Sequence, residues 1–236
     1  MTSIKSEQIP EFITNDSCPG VIPQAHEVTL FLGKFDVFHE TPVSDEERLR
    51  GESMTSTATR HGFLAGRRLV RKVLSKWLSS DSATLPILLS PEGRPYLAGD
   101  SSPCFSISHS GDLVVAAFSG VDLGVDLELE RPLDRIALSA RFFSEKEARL
   151  VREQENDKTF FKLWTSREAA IKADGRGMGR LLPLTKVRVE TLEKEFLNVE
   201  IGSDSWTVAH SVIDSGYHVA IATRSRPSLI RWCDLR

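Results

Sequence analysis

The stretch Gly111-Asp-Leu-Val-Val-Ala-Ala-Phe118 has a counterpart later in the chain, Gly216-Tyr-His-Val-Ala-Ile-Ala-Thr223. Each is a glycine turn followed by a short apolar run, which predicts a buried strand, and a long helical pattern precedes each. Glycine and small apolar residues match easily by chance, so the pair is compatible with coincidence or with an internal duplication. A duplication predicts two similar α+β halves with a ligand cleft between them.

Length and composition limit the class of protein. The chain has 236 residues, 40% of them hydrophobic, which is enough for one large domain or two small ones. The net charge of −3 argues against a nucleic-acid partner. The cysteines Cys18, Cys104 and Cys233 have neither metal-ligand spacing nor a disulfide pattern, which favours a reducing compartment. Because no long apolar run occurs, we expect a cytoplasmic protein without a signal peptide or membrane contact.

Three segments are predicted along the chain. Residues 1–27 are mixed in character and punctuated by prolines, so we interpret them as an N-terminal lead-in. The two counterpart stretches then place a first half at 28–121 and a second half at 122–236.

Local patterns predict most of the regular structure. The pattern Ser-x-x-Glu, which is typical of a capping box, predicts helix starts at Ser44 and Ser144. Longer helices are predicted over residues 58–79 and 157–173. Predicted strands, which are short apolar or alternating runs bounded by turns, cover residues 28–32, 105–109, 113–119, 123–129, 187–190, 196–199, 206–211 and 218–223.

Acidic side chains stand out in Gly124-Val-Asp-Leu-Glu128, where Asp126 and Glu128 alternate with apolar residues. On a strand both carboxylates point to one face, and we expect only the apolar face to be buried. Glu168 and Lys172 lie one turn apart on a predicted helix. Together these groups would hold a hard divalent cation beside a phosphate. The alternative is a solvated acidic strand face and a simple Glu168–Lys172 pair.

Basic side chains dominate residues 60–78, which contain no acidic residue. Arg60, Arg67 and Arg71 share one face by their spacing, and the planar donor fork of arginine matches phosphate. This face is therefore a candidate phosphate site. A solvated helix face and a docking site for an acidic protein partner are the alternatives.

Two further positions are candidate anion contacts. Ser108 and His109 end a predicted strand just before a glycine turn, where they can donate hydrogen bonds to an anion, although a histidine at a strand end can also be structural. Arg94 presents a cation from the rigid turn Gly93-Arg94-Pro95. The segment lacks a G-x-S-x-G elbow, so Ser108 does not indicate a serine hydrolase.

In this order, these pieces resemble the 4′-phosphopantetheinyl transferases of the larger, surfactin-synthetase-activating type. Two departures from the family pattern keep the positive charge, Arg167 and Arg94 each replacing the usual lysine. The matching segments are Gly93-Arg94-Pro95, Ser106-Ile107-Ser108-His109, Gly124–Glu128, Arg141-Phe142-Phe143-Ser144, Trp164–Lys172 and the helix pattern Ala65–Arg71.

The resemblance implies a fold and an activity. The fold is α+β, a pseudo-dimer of two similar α/β halves with coenzyme A between them. The activity is magnesium-dependent transfer of the 4′-phosphopantetheine arm of coenzyme A to a serine of an apo acyl or peptidyl carrier protein, serving polyketide, nonribosomal peptide or fatty acid synthesis. The duplicated length implies a monomer. The alternative is a non-enzymatic module that binds an acidic carrier protein or a nucleotide.

The resemblance also assigns roles to individual residues. Asp126, Glu128 and Glu168 match the magnesium ligands of the family. Glu168, as the general base, and Lys172 match its catalytic residues. The residues that match coenzyme A contacts are Arg67, Arg94, Ser108, His109, Asp126 and Lys172.

Overall fold

A computed structural model describes most of the chain. The described residues are 13–14, 20–99, 103–176, 187–190, 196–213 and 216–236. Most of the predicted lead-in at 1–27 lies outside them, as does Cys18. Within them, Cys104 and Cys233 form no disulfide. None of the helices in these ranges combines the length and apolarity needed for a membrane crossing.

The strands form two five-stranded sheets and a small hairpin. The first sheet has the order β1-β12-β2-β6-β5, with β1 at Ile13–Thr14, β2 at Glu27–Lys34, β5 at Cys104–Ser110, β6 at Leu113–Ser119 and β12 at Leu229–Asp234. The second has the order β7-β11-β10-β9-β8, with β7 at Leu123–Leu129, β8 at Val187–Val189, β9 at Phe196–Ile201, β10 at Asp204–Ile213 and β11 at Tyr217–Thr223. The hairpin pairs β3, Ile87–Leu89, with β4, Pro95–Leu97.

Two of the α-helices begin at the caps that the sequence predicts. Ser44 and Ser144 each accept a hydrogen bond from the backbone N–H of the glutamate three positions later, and that glutamate bonds back, so both predicted capping boxes are confirmed. A 3-10 helix at Phe35–Phe38 precedes them. The α-helices are α1 at Asp45–Glu52, α2 at Thr57–Leu78, α3 at Arg135–Phe142, α4 at Glu145–Glu153 and α5 at Lys158–Asp174.

Each sheet has its own long helix and core. Leu69 and Leu74 of α2 pack with Phe118 of the first sheet. Phe161 and Ile171 of α5 pack in the same way on the second sheet, in a separate cluster. A third cluster of hydrophobic side chains, which includes Trp232, lies between the sheets and joins the halves. The predicted α+β architecture of two similar halves is confirmed.

The two counterpart stretches occupy equivalent places. β6 and β11 are each the second strand from the edge at which the sheets meet, β5 in one sheet and β7 in the other. Asp112 and Tyr217, which follow the matching glycines, also touch, because the Tyr217 hydroxyl donates to Asp112 Oδ1 at 2.7 Å. This placement supports an internal duplication over a chance match.

The last strand departs from the predicted division of the chain. β12, within the predicted second half at 122–236, pairs in parallel with β2 of the first sheet. The division into 28–121 and 122–236 therefore stays a proposal about folding units, with residues 229–234 hydrogen-bonded to the first of them.

Candidate active site

Serine side chains join the edges of the two sheets. Ser106 Oγ accepts from the backbone N–H of Val125 at 3.0 Å, and Ser110 Oγ accepts from that of Leu129 at 3.0 Å. Between them, Ser108 Oγ donates to Asp126 Oδ1 at 2.9 Å. These contacts fix β7 against β5 and hold the Asp126 carboxylate at the junction of the halves. Ser106 and Ser110 were not predicted, although the Ser-x-Ser-x-Ser alternation was a signal for them.

A glycine brings α5 onto β7. A Cβ atom at Gly124 would lie 2.0 Å from the carbonyl oxygen of Ala169 and 2.4 Å from the backbone nitrogen of Ala173. The strand and the helix therefore touch backbone to backbone at this point, which only glycine permits. The close approach places Glu168 and Lys172 beside the acidic side chains of β7.

Lys172 pairs with Asp126. Its Nζ lies 2.7 Å from Asp126 Oδ1 and 2.9 Å from Ser108 Oγ. Asp126 is only 5% exposed, so the expectation that the strand buries only its apolar face is wrong for this residue, and so is the alternative of a solvated acidic face. The reason is that α5 covers the face that the alternation left acidic. Burial raises the pKa of Asp126, and the Lys172 ammonium opposes that shift.

Glu168 lies in the same field of negative charge. Burial, followed by the charge of Asp126, raises the pKa of Glu168 from 4.5 to about 7, and Lys172 offsets part of this shift. Glu128, which also raises this pKa, accepts from Ser110 Oγ at 3.2 Å and pairs with Arg131 at 2.8 Å. A carboxyl group that titrates near neutral pH is suited to acid–base catalysis.

The acidic group is suited to a divalent cation. The described part of the chain contains no ready cluster of three or more histidine, cysteine or acidic side chains in a metal-binding arrangement. However, Asp126 Oδ2 is buried and has no hydrogen-bond partner among the described residues. An unpaired buried carboxylate oxygen is costly, and a hard cation is the partner it favours. The unpaired Oδ2 of Asp126 is therefore compatible with the predicted ion, and Glu128 and Glu168 stay predicted ligands.

A cavity of about 470 Å³ opens beside Lys172 between the two halves. Its walls include Phe63, Arg67, Arg94 and His109, so four predicted coenzyme A contacts, Lys172 among them, lie on one cavity. This cavity lies where the sequence predicted a ligand cleft, between the two halves. Ser108 and Asp126, which were also predicted contacts, lie behind Lys172 and hold its ammonium group.

His109 packs directly against the backbone of α2 because Gly62 has no side chain. A Cβ atom at Gly62 would lie 2.4 Å from His109 Nδ1, so the ring lies directly on the helix backbone. The ring edge also meets Phe35 at 6.1 Å between centroids. Burial, and then the Lys172 charge, lower the pKa of His109, so the neutral ring can offer the cavity one N–H donor.

The arginines of the basic helix separate into two kinds. Arg67 is 6% exposed, faces the cavity and stacks on Phe63 at 5.3 Å. Burial lowers the pKa of Arg67 to about 10, so it keeps its charge at neutral pH. Arg71 is 1% exposed and binds Glu47, while Arg60 donates to the Met54 carbonyl. The prediction of one shared phosphate-binding face is therefore wrong for Arg71, which is used inside the fold.

Arg94 reaches across to the second half. Its Nη1 donates to Asp122 Oδ1 at 3.0 Å and its Nη2 to the Leu123 carbonyl at 3.3 Å. These bonds leave the guanidinium on the cavity wall and fix it next to the start of β7.

Comparison with known proteins identifies the family. The sequence profile described as the 4′-phosphopantetheinyl transferase superfamily matches residues 122–222. The L-aminoadipate-semialdehyde dehydrogenase-phosphopantetheinyl transferase of Xenopus laevis is 33% identical over 208 residues, which cover 76% of this chain and 68% of that protein. The chain belongs to the 4′-phosphopantetheinyl transferase superfamily.

Other members of the superfamily are similar over most of their length. The 4′-phosphopantetheinyl transferase Sfp of Bacillus subtilis is 28% identical over 205 residues, covering 79% of this chain and 90% of that protein. Among solved structures, the Helicobacter pylori holo-[acyl-carrier-protein] synthase in complex with coenzyme A aligns with 43% of this chain and 97% of its own, at 19% identity and a TM-score of 0.37.

Membership confirms the predicted family and the prediction of a transferase enzyme. The alternative of a non-enzymatic binding module is therefore not retained. The profile match includes Asp126, Glu128, Glu168 and Lys172. The roles of individual side chains remain proposals that rest on the geometry of the site.

Proposed function

We propose that this phosphopantetheinyl transferase moves the 4′-phosphopantetheine arm of coenzyme A to a serine of an apo acyl or peptidyl carrier protein, releasing adenosine 3′,5′-bisphosphate. The observation that carries this proposal is the position of the Lys172–Asp126 pair. The pair joins the acidic side chains of β7 and α5, which include the half-buried Glu168, to a cavity whose walls include Arg67, Arg94 and His109. Such a site can hold an anionic nucleotide on one side and react on the other.

The cavity side chains would bind coenzyme A through its phosphates. Arg67 and Arg94 offer charged donors that are already held by other contacts, so little side-chain entropy is lost on binding. His109 offers a neutral donor, and Phe63 supplies an apolar face. Lys172, held by Ser108 and Asp126, would meet the pyrophosphate nearest to the reacting bond.

In the reaction, the carrier serine attacks the phosphorus that bears the pantetheine arm, and the bond to the adenosine portion breaks. Glu168 would take the serine proton, directly or through a water molecule, because it lies beside Lys172 and Asp126 at the end of the site where the phosphorus would react. Lys172 would balance the negative charge that grows on the leaving phosphate. The nucleophile belongs to the partner, so the chain needs only to position and neutralise the reacting groups.

Asp126, Glu128 and Glu168 would hold a magnesium ion. When bound, the ion would supply charge neutralisation at the pyrophosphate. Isothermal titration with coenzyme A, with and without magnesium, tests this part of the proposal. We expect the metal to tighten binding in the wild type and not in Asp126→Asn. Equal binding with and without the metal would contradict the assignment of the ligands.

Arg67→Ala and His109→Ala test the coenzyme A contacts. Each is expected to raise the KM for coenzyme A by roughly ten- to a hundredfold, the size of a lost charge-assisted or well-placed hydrogen bond, and to leave the KM for the carrier nearly unchanged. Steady-state kinetics with each substrate varied in turn measure both constants.

Dephospho-coenzyme A, which lacks the 3′-phosphate, sharpens this test. The wild type should have a higher KM for the analogue than for coenzyme A. A variant that lacks the residue contacting the 3′-phosphate should have nearly the same KM for both. If both variants kept the wild-type KM for coenzyme A, the two residues would serve the fold only, and the phosphate site would lie elsewhere.

The raised pKa of Glu168 also predicts an effect on stability. Between pH 4.5 and about 7 the folded state binds the Glu168 proton more tightly than the unfolded state, so stability falls as pH rises through this window. In metal-free buffer at pH 8, Glu168→Gln should therefore raise the free energy of unfolding, by on the order of 1–3 kcal/mol. Urea denaturation at pH 4.5 and pH 8 measures the difference.

The matched control for this prediction is Glu153→Gln, at an exposed position on α4. It should change the unfolding free energy little at either pH. A Glu168→Gln variant whose stability followed that of the wild type at both pH values would show that the carboxyl group is not under electrostatic strain.

A further inference from the structure

A second internal repeat appears in the side chains that hold the long helices. In each half, a capping-box glutamate at the start of a short helix turns inward and meets an arginine of the long helix that follows. Glu47 of α1 binds Arg71 Nε at 2.6 Å, and Glu147 of α4 binds Arg167 Nη2 at 2.6 Å. We call Ser44, Glu47 and Arg71 the first clasp, and Ser144, Glu147 and Arg167 the second clasp.

Each clasp also holds the backbone that follows its long helix. Arg71 Nη1 donates to the carbonyls of Ser82, at 2.5 Å, and Leu85, at 3.2 Å. Arg167 Nη2 donates to the Val187 carbonyl at 2.9 Å, and Glu147 Oε1 accepts from the backbone N–H of Val189 at 2.8 Å. In each half, a single buried ion pair therefore connects the short helix, the long helix and the backbone segment that follows the long helix.

The ion pairs of the clasps are buried and lie outside the cavity. Arg71 is 1% and Arg167 0% exposed, and neither arginine is among the residues that line the cavity. Rotation of either long helix about its axis would separate opposite charges in a medium of low polarity, or strip an arginine of its carbonyl partners. Both are costly, so each clasp fixes the rotation of its helix closely.

Each long helix carries a different part of the proposed site. On α2, Arg67 precedes Arg71 by one turn, and its Nε lies 3.8 Å from Glu47 Oε1, so the first clasp touches it directly. On α5, Arg167 is the neighbour of Glu168, and Lys172 lies little more than a turn beyond. The close contact at Gly124 fixes the distance of α5 from β7, and the second clasp fixes its rotation.

We propose that the two clasps are positioning devices with separate effects on the reaction. The first orients Arg67 toward the phosphates of coenzyme A, and the second orients Glu168 and Lys172 toward the reacting bond. This inference rests on the proposed function. It predicts that damage to the first clasp weakens coenzyme A binding and that damage to the second slows turnover, although neither clasp touches the substrate.

The test is a crossed comparison of Arg71→Met and Arg167→Met in the full chain. Both variants remove the charged head and keep an unbranched side chain. Arg71→Met should raise the KM for coenzyme A about tenfold or more and leave kcat within about threefold. Arg167→Met should lower kcat about tenfold or more and raise that KM clearly less than Arg71→Met does, since misplacement of reacting groups by about 1 Å can cost 10²-fold. Rates are divided by the folded fraction from circular dichroism.

Conservative variants show whether geometry or mere stability is responsible. Arg71→Lys and Arg167→Lys keep a charge beside the glutamate and lose the fork that reaches the carbonyls. We expect each to restore part of the parameter that its Met variant lost. If a Met variant does not fold, the Lys variant of the same clasp must show the same split, with a smaller effect. Arg48→Met, at an exposed arginine of α1, is the matched control and should change neither parameter.

The outcomes separate this inference from the proposed function. Failure of the wild type to modify any apo carrier protein would contradict the function itself. If the wild type transfers the arm but both clasp variants change kcat and KM alike, the positioning roles are wrong and the clasps are structural supports only. The same holds if both variants match the wild type per folded molecule. Loss of thermal stability without the split would have the same meaning.

Discussion

Asp126→Asn is expected to reduce phosphopantetheine transfer by about 10²–10³-fold or more, the largest effect of any single side-chain change in the site. We assign two functions to the carboxylate there. Its Oδ1 holds Lys172 at 2.7 Å, and its buried Oδ2 is the free oxygen available to a cation. Asparagine keeps the size of the side chain and removes the charge on which both functions depend. Transfer to an apo carrier protein at saturating magnesium measures the loss.

Glu130→Gln is the control for this prediction. Glu130 continues the acidic alternation of Asp126 and Glu128, but its carboxylate binds His218 at 2.8 Å and lies outside the proposed ligand set. We expect it to keep transfer within a few-fold of the wild type. If Asp126→Asn retained activity comparable to that of Glu130→Gln at saturating magnesium, Asp126 would be neither a metal ligand nor the anchor of Lys172.

Gly124→Ala is expected to remove both stability and activity. The new methyl group would meet backbone atoms of α5 at 2.0 Å and 2.4 Å, which no change of rotamer relieves. The helix must therefore move away from β7 and take Glu168 and Lys172 with it. We expect the free energy of unfolding to fall by about 3 kcal/mol or more, with at least about a 10²-fold loss of turnover in the molecules that remain folded.

Chemical denaturation and transfer kinetics of the same preparation test this prediction. Gly20→Ala is the control, because a Cβ atom at Gly20 meets nothing within 4 Å. It should be neutral in both measurements. A Gly124→Ala variant with wild-type stability would show that the strand and the helix do not touch as described and that this contact does not place Glu168 beside Asp126.

Short-range features were predictable from the sequence. The two capping boxes depend on residues three positions apart, and the structure contains both. Helix α2 follows the apolar spacing that predicted it, to within a residue at each end. Periodicity also predicted that Asp126 and Glu128 share one strand face and that Glu168 and Lys172 share one helix face, whereas the roles of these residues stay predictions.

Features that depend on distant partners were not predictable in this way. β12 joins β2 through pairing between residues such as Ile230 and Val28, and no local pattern reports such a partner. Asp126 was expected on the unburied face of its strand because its alternation matches a half-buried strand, yet α5 covers it. The spacing of Arg71 placed it with Arg60 and Arg67 on a face expected to meet phosphate. Its burial is explained by its ion pair with Glu47, a residue of another helix.

The serine contacts lie between these two cases. The alternation of Ser106, Ser108 and Ser110 was visible in the chain, and periodicity places all three on one face of a strand. What that face meets was not visible. The structure shows that it meets the free edge of β7, where the hydroxyl groups bond the backbone and Asp126 in place of a regular strand ladder.

Intact-mass analysis of carrier proteins tests the central claim most directly. The purified chain, coenzyme A and magnesium are incubated with a panel of apo acyl and peptidyl carrier proteins, beside Asp126→Asn and a carrier whose acceptor serine is replaced by alanine. We expect at least one carrier to gain the mass of one phosphopantetheine group, with equimolar release of adenosine 3′,5′-bisphosphate, and no gain in either control. Wild-type chain that left every carrier unmodified, or modified the serine-free carrier equally, would contradict the account.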